Sequence, residues 1–92
     1  MPGMLAWDKV NNYGQHWLKL HGVEVALVSE GPPGQWVVHV NRQRYMEARV
    51  TSGRSPTLAH AKKMAERWAR ANLPRLEVEV ADRIARRPKH RV

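Results

Sequence analysis

The chain contains no cysteine, which excludes disulfide bridges and thiolate metal sites. It also has no apolar run near the roughly 18 residues that a membrane-spanning helix needs, so we expect no membrane segment. The first residues lack the basic start and the long apolar stretch of a secretory signal. Together these absences predict a cytoplasmic protein that does not act in a membrane.

Acidic side chains are scarce. The 92 residues hold 8 Asp and Glu against 16 Lys and Arg, a formal net charge of +8. The imbalance lies in the second half: residues 1–41 hold 2 cations and 3 acids, whereas residues 42–92 hold 14 cations and 5 acids. Eleven of the cations are arginines, whose guanidinium groups fork onto phosphate or carboxylate oxygens. The second half therefore predicts a surface for a polyanion or for an acidic protein.

The length allows one domain with a thin core. Three parts are expected: a weakly patterned segment over 1–15, a single α+β domain over 16–87 and a basic tail over 88–92. Within the first part, Met4, Trp7 and Val10 predict one apolar edge of a short helix.

An antiparallel meander is predicted from period-two alternation of apolar residues. Residues 16–28 alternate, with a slip at Gly22 that indicates a bulge or a tight turn. The Pro- and Gly-rich stretch 30–34 is a loop, Trp36–Val40 is a strand, and Tyr45–Thr51 is its return strand. The meander has three strands, or four if Gly22 is a true turn.

An amphipathic helix follows the meander. Ser55 is the expected N-cap, with Pro56 at the first helical position. One apolar stripe recurs at three- and four-residue steps: Leu58, Ala61, Ala65, Trp68 and Ala69. Asn72 and Pro74 end the helix, which is expected to pack on the sheet as the second layer of one core.

The segment 75–87 fits either a strand or a helix. Pro74 just before it favours a second helix, as do two i,i+4 pairs, Glu79 with Arg83 and Asp82 with Arg86. Its apolar stripe is formed by Leu76, Val80 and Ile84. This stripe packs either within one chain or between two, and in the second case it would form a homodimer.

Signatures of catalysis are absent, because no nucleophile elbow and no phosphate-binding glycine loop occurs. Ser55 and His60 lie close in sequence, but a capping role explains Ser55. No two of the five histidines have the i,i+4 spacing of a zinc pair on a helix. We therefore expect neither an enzyme, nor a cofactor, nor a metal site.

Aromatic residues suggest two different uses. Trp36 and Trp68 lie in apolar faces and are predicted to pack in the core. Trp7 and Trp17 are less determined. Tyr45 lies among arginines and is either a stacking platform for bases or a half-buried edge residue.

The order of these elements resembles known domains. It is carried by Trp36–Val40, Tyr45–Val50, the helix-opening Ser55–Leu58 and Ala61–Ala65, and it covers residues 17–72. The plan resembles the sheet-plus-helix domains at the N-terminus of phage tyrosine integrases and plant ethylene-response-type DNA-binding domains. It also resembles short phage- and prophage-encoded proteins of unknown function.

In the DNA-binding members, the sheet face away from the helix enters the major groove. The resemblance implies this contact for Arg42, Arg44, Tyr45 and Arg49, with His39 beside them. The chain departs from the integrases by lacking a catalytic domain and by adding residues 75–92. A shared plan of elements does not by itself carry function.

Two functions remain open. The first is a general, phosphate-dominated nucleic-acid-binding module, preferring DNA to RNA, in which the sheet arginines face the duplex and the other cations hold phosphates. Its candidate residues are Arg42, Arg44, Tyr45, Arg49, Lys62, Lys63, Arg67, Arg70, Arg83, Arg86 and Arg87. The alternative is a phage-type accessory protein that binds an acidic host protein surface.

These two functions predict different surfaces. Aromatic side chains among arginines on an open sheet face favour a nucleic acid. An uncovered stripe of Leu76, Val80 and Ile84 favours a protein partner or a homodimer.

Overall fold

A computed structural model describes residues 5–43 and 50–86 of the chain. Five strands form one antiparallel sheet in the order of the sequence: β1 (Leu5–Trp7), β2 (His16–Leu20), β3 (Val23–Glu30), β4 (Trp36–Val40) and β5 (Val50–Ser55). Two helices, α1 (Leu58–Ala71) and α2 (Leu73–Ala85), complete the α+β fold. The predicted class, a sheet packed on an amphipathic helix with a second helix after it, is confirmed.

The first strand was not expected. Residues Leu5–Trp7 pair with β2, and Trp7 lies opposite Leu18, so the short helix predicted around Met4, Trp7 and Val10 is wrong. Pairing with a neighbouring strand decides the conformation of so short a segment, and the apolar spacing within it does not.

Gly22 marks a turn between two strands. His21 and Gly22 both have positive φ, 51° and 79°, and they link the paired residues Leu20 and Val23. Two central residues with positive φ are typical of the two-residue type I′ hairpin. The predicted fourth strand is therefore confirmed, and β1 adds a fifth.

A bulge in β3 changes which side chains face the core. Leu18 lies opposite Ala26 and Lys19 lies opposite Glu24, so Val25 is an extra residue on β3. Val25 and Ala26 are consequently both buried against the helices. Leu27, expected on the face of Val25, lies on the opposite face of the sheet.

The last strand and the start of α1 also differ from the prediction. Most of the predicted return strand lies outside the described residues, and β5 continues as far as Ser55, which pairs with Trp36. Ser55 is thus a buried strand residue and not the N-cap. Thr57 caps α1 instead, because its Oγ1 accepts a hydrogen bond of 3.2 Å from the main-chain N–H of His60.

The helices cover one face of the sheet. On α1, Ala61, Ala65 and Ala69 are fully buried, as the apolar stripe predicted. The ambiguous segment is a helix, and its Leu76 and Val80 are fully buried within the same chain. Those two side chains are therefore unavailable to a homodimer, while Ile84 remains 42% exposed. Neither of the two helices in the described part of the chain has the length and apolarity to cross a membrane.

The docking of α2 can be tested with two substitutions on that helix. Leu76→Ala should lower the free energy of unfolding by about 2–5 kcal/mol, because it empties a fully buried site. Val78→Ala, whose side chain is 70% exposed, should change it by less than about 0.5 kcal/mol. Urea denaturation followed by tryptophan fluorescence measures both values. Equal effects of the two substitutions would contradict the docking.

Candidate functional site

Of the eleven residues that the sequence singled out, four lie outside the described residues: Arg44, Tyr45, Arg49 and Arg87. Six of the other seven lie on the helices or directly after α2, and the seventh, Arg42, follows β4, where it is half-buried and its charge contributes to lowering the pKa of His39. The six helix cations are described below by the contacts that each makes.

The outward side of α1 carries a row of three cations. Lys63, Arg67 and Arg70 are exposed and follow one another at steps of four and three residues, which places them on one helix face. We call these three residues the α1 ridge. Among the described residues, no carboxylate lies within ion-pair distance of any of them. With Glu66 and Ala71 they line a shallow, open groove.

Glu66 lies beside the ridge but is held by another partner. The indole N–H of Trp7 donates a hydrogen bond of 2.6 Å to its carboxylate across 59 residues of sequence. Lys62 lies next to this pair, with its ammonium 4.6 Å from the centre of the Trp7 ring. Lys62 and Trp7 therefore join β1 to α1, and Lys62 is not part of the ridge.

The sheet face away from the helices carries a row of three side chains on neighbouring strands. Trp17 pairs with Leu27 and Leu27 pairs with His39, so the three share this face, which we call the open face. Leu27 is 6% exposed at the centre of the row, while Trp17 and His39 are half-buried. The exposed Arg54 also lies on this face, opposite Val37.

Charges and hydrogen bonds surround the row. Burial, with a smaller contribution from the Arg42 charge, lowers the pKa of His39. The Nε2 atom of His39 lies 3.3 Å from the Ser29 hydroxyl. Lys19, which alternates with the buried Leu18 on β2, pairs with Asp8 at 3.1 Å. The open face thus combines an aromatic ring with several cations.

Arg83 on α2 and Arg86, which directly follows that helix, both have partners. Arg83 donates a hydrogen bond from its guanidinium to the main-chain oxygen of Gln43. The Gln43 side chain is buried and donates to Glu79 at 2.6 Å. Arg86 pairs with Asp82 at 3.1 Å, which confirms one of the two predicted i,i+4 pairs. Arg83 thus helps to hold α2 against the end of β4.

The ridge and the open face lie on opposite sides of the molecule. The ridge lies on the side of α1 opposite its buried alanine stripe, and the open face is the side of the sheet that the helices do not cover. The sheet, together with a helix about 10 Å in diameter, lies between the ridge and the open face. One duplex lying in the open face could not also be held by the ridge, contrary to the arrangement expected from the sequence.

Histidine contacts explain much of the remaining polar structure. The Ser55 hydroxyl lies 2.9 Å from Nδ1 of His60, and it also accepts a hydrogen bond from the Thr57 main-chain N–H. These bonds order the start of α1. At the other end of the sheet, His21 contacts Glu77 at 2.8 Å and joins the β2–β3 turn to α2. Within residues 5–43 and 50–86, no three His, Asp or Glu side chains form a cluster that could hold a metal ion.

Comparison with protein-family models, with curated proteins and with solved structures finds no match for this chain. The resemblance to integrase-type and ethylene-response-type domains therefore stays a prediction.

The two half-buried histidines predict how the free energy of unfolding changes with pH. Burial lowers the pKa of His16 and of His39, with the charges of Lys62 and Arg42 as smaller causes. The folded chain therefore takes up protons at these two rings at lower pH than the unfolded chain, whose histidines have a pKa near the ordinary value of 6.5. The free energy of unfolding should therefore be highest above pH 6.5 and should fall as the pH decreases through the two lowered pKa values.

Urea denaturation at pH values of about 7.5, 6.5 and 5.5 measures this loss. His16→Gln combined with His39→Gln should make the free energy of unfolding less dependent on pH over this range. The double variant separates the two rings from the general repulsion of a chain with a net charge of +8. An unchanged pH dependence in the double variant would show that the proton uptake belongs to other groups.

Proposed function

We propose that this chain is a general nucleic-acid-binding module that holds the phosphate backbone with the α1 ridge. The observation that carries the proposal is the alignment of Lys63, Arg67 and Arg70 on one exposed helix face, with no carboxylate of the described residues in ion-pair distance. Cations without such a partner can neutralise phosphates and release condensed counterions. Two of the three are arginines, which bind phosphate oxygens through two N–H groups.

Phosphate contact without base reading fits the composition of the helix. Of the side chains that read bases in the major groove, α1 lacks the asparagine and glutamine that pair with adenine, and its arginines, which can pair with guanine, are the ridge residues that we assign to phosphates. The exposed Ala59 and Ala71 beside the ridge offer little more than methyl groups. The proposed binding is therefore dominated by phosphates, and duplex DNA is its first probe.

The protein-binding alternative would be favoured by an uncovered apolar stripe on α2. Leu76 and Val80 are fully buried in their own chain, so the apolar stripe of α2 is not an uncovered patch. The open face lies on the other side of the molecule, and its Lys19 is paired with Asp8, so we do not include it in the phosphate surface. The burial of the α2 stripe therefore favours the nucleic-acid proposal over the protein-binding alternative.

The test compares two triple variants with the same net charge. The ridge variant combines Lys63→Gln, Arg67→Gln and Arg70→Gln, and the control combines Lys19→Gln, Arg54→Gln and Arg86→Gln. Each removes three charges from +8 and leaves +5, so non-specific attraction is matched. Fluorescence anisotropy of a labelled duplex of random sequence is measured from about 50 to 200 mM salt.

The wild-type chain should bind, and its affinity should fall steeply with salt. The ridge variant should bind more weakly and lose about 3 units of the slope of log K against log salt, because each lost phosphate contact removes about 0.9. The control should keep most of the wild-type slope. Absence of wild-type binding both to this duplex and to a single strand of similar length at about 50 mM salt would refute the proposal. A control that loses as much as the ridge variant would refute the ridge as the phosphate surface.

A further inference from the structure

The connection between β1 and β2 is an ordered turn centred on Asn11. The Asn11 side-chain oxygen accepts hydrogen bonds from the main-chain N–H groups of Tyr13 and Gln15, at 2.9 and 3.0 Å. Its side-chain nitrogen donates to the Gln15 side chain at 2.9 Å. Two main-chain bonds between Asn11, Gly14 and Gln15 close the turn, and Gly14 supplies the positive φ of 70° that it requires. Five hydrogen bonds therefore fix a loop of five residues.

This turn holds an aromatic ring in solvent. Tyr13 is 86% exposed, although its own main-chain N–H is bonded to Asn11. A tyrosine side chain has few rotatable bonds. Because the backbone of the turn is already ordered, the ring loses little conformational entropy when it binds a partner. Nothing in the hydrophobic core uses this ring, because Tyr13 is not among the residues packed against the core. The Tyr13 ring is thus accessible to another molecule at a small entropic cost.

The strand that leads into the turn contacts the middle of α1. Trp7, which ends β1 just before the turn, bonds Glu66 and lies under Lys62. Lys63, the first residue of the ridge, follows Lys62 directly. The one acid next to the turn, Asp8, is paired with Lys19 at 3.1 Å. A polyanion on the ridge can therefore approach Tyr13 without meeting an unpaired carboxylate from Asp8.

We propose that Tyr13 stacks on an unpaired base of the nucleic acid whose phosphates the ridge contacts. This inference rests on the proposed function and adds the class of substrate: single-stranded or partly unpaired nucleic acid in preference to a continuous duplex. Every base has a π-face on which a tyrosine ring can stack, so the contact tolerates any sequence. In a continuous duplex the internal bases are already stacked on their neighbours, so no internal base offers a free face on which the Tyr13 ring could stack.

The test uses Tyr13→Ala, with Tyr13→Phe as the matched control that keeps the ring. Anisotropy is measured with a labelled single strand of about 15 thymidines and with a fully paired duplex of similar length. Tyr13→Ala should weaken binding of the single strand roughly tenfold and leave duplex binding unchanged. Tyr13→Phe should bind both within about twofold of the wild type, because stacking needs the ring and not its hydroxyl.

Stacking has a spectroscopic readout as well. An oligonucleotide with one 2-aminopurine should change its fluorescence when it binds the wild type or Tyr13→Phe, and it should change less with Tyr13→Ala. Thermal melting should be the same for all three chains, since Tyr13 is exposed and outside the core.

The possible failures are distinguishable. If the wild type binds the single strand and Tyr13→Ala binds it equally well, the stacking inference is wrong and the proposed function stands. An equal loss for the single strand and the duplex also overturns stacking, because a duplex offers no unpaired base. If the wild type binds neither probe, the proposed function fails and this inference fails with it.

Discussion

The close packing of α1 on the sheet determines most of what the molecule presents to solvent. Ala61, Ala65 and Ala69 form the fully buried stripe of α1 and contribute only methyl groups to the contact with the strands. On β5, the end of the Met64 side chain fills the space next to Gly53, where a Cβ atom would lie 2.7 Å from it. Because the alanine stripe fixes the rotation of the helix, the ridge on its other side must point outward.

Local patterns predicted the parts of the fold that local periodicity determines. The alternation in Trp36–Val40 and the alanine spacing of α1 are both found where the sequence indicated them. The misses depend on distant partners. β1 is a strand because it pairs with β2, and Ser55 stays in β5 because it lies opposite Trp36, which leaves the cap to Thr57. No window of neighbouring residues contains that information.

The same distinction applies to the candidate site. The ridge could be predicted, because its spacing lies within one helix. The sequence does not distinguish Lys62 and Arg83 from the ridge residues, because their partners, Trp7 and Gln43, are distant in sequence. Tyr13 was not singled out, although Asn11 and Gly14 around it are a recognisable turn signal. Its exposure depends on side-chain bonds that close the turn, and composition does not reveal them.

Asn72 is the single residue between α1 and α2. Its N–H groups bond the carbonyls that end α1, and its own carbonyl accepts from Leu76 in the first turn of α2. One residue thus serves two helix ends. Inserting or deleting a single residue here would turn α2 by about 100° about its axis. Leu76 would leave the core, so this connection is expected to keep a constant length wherever the fold is used.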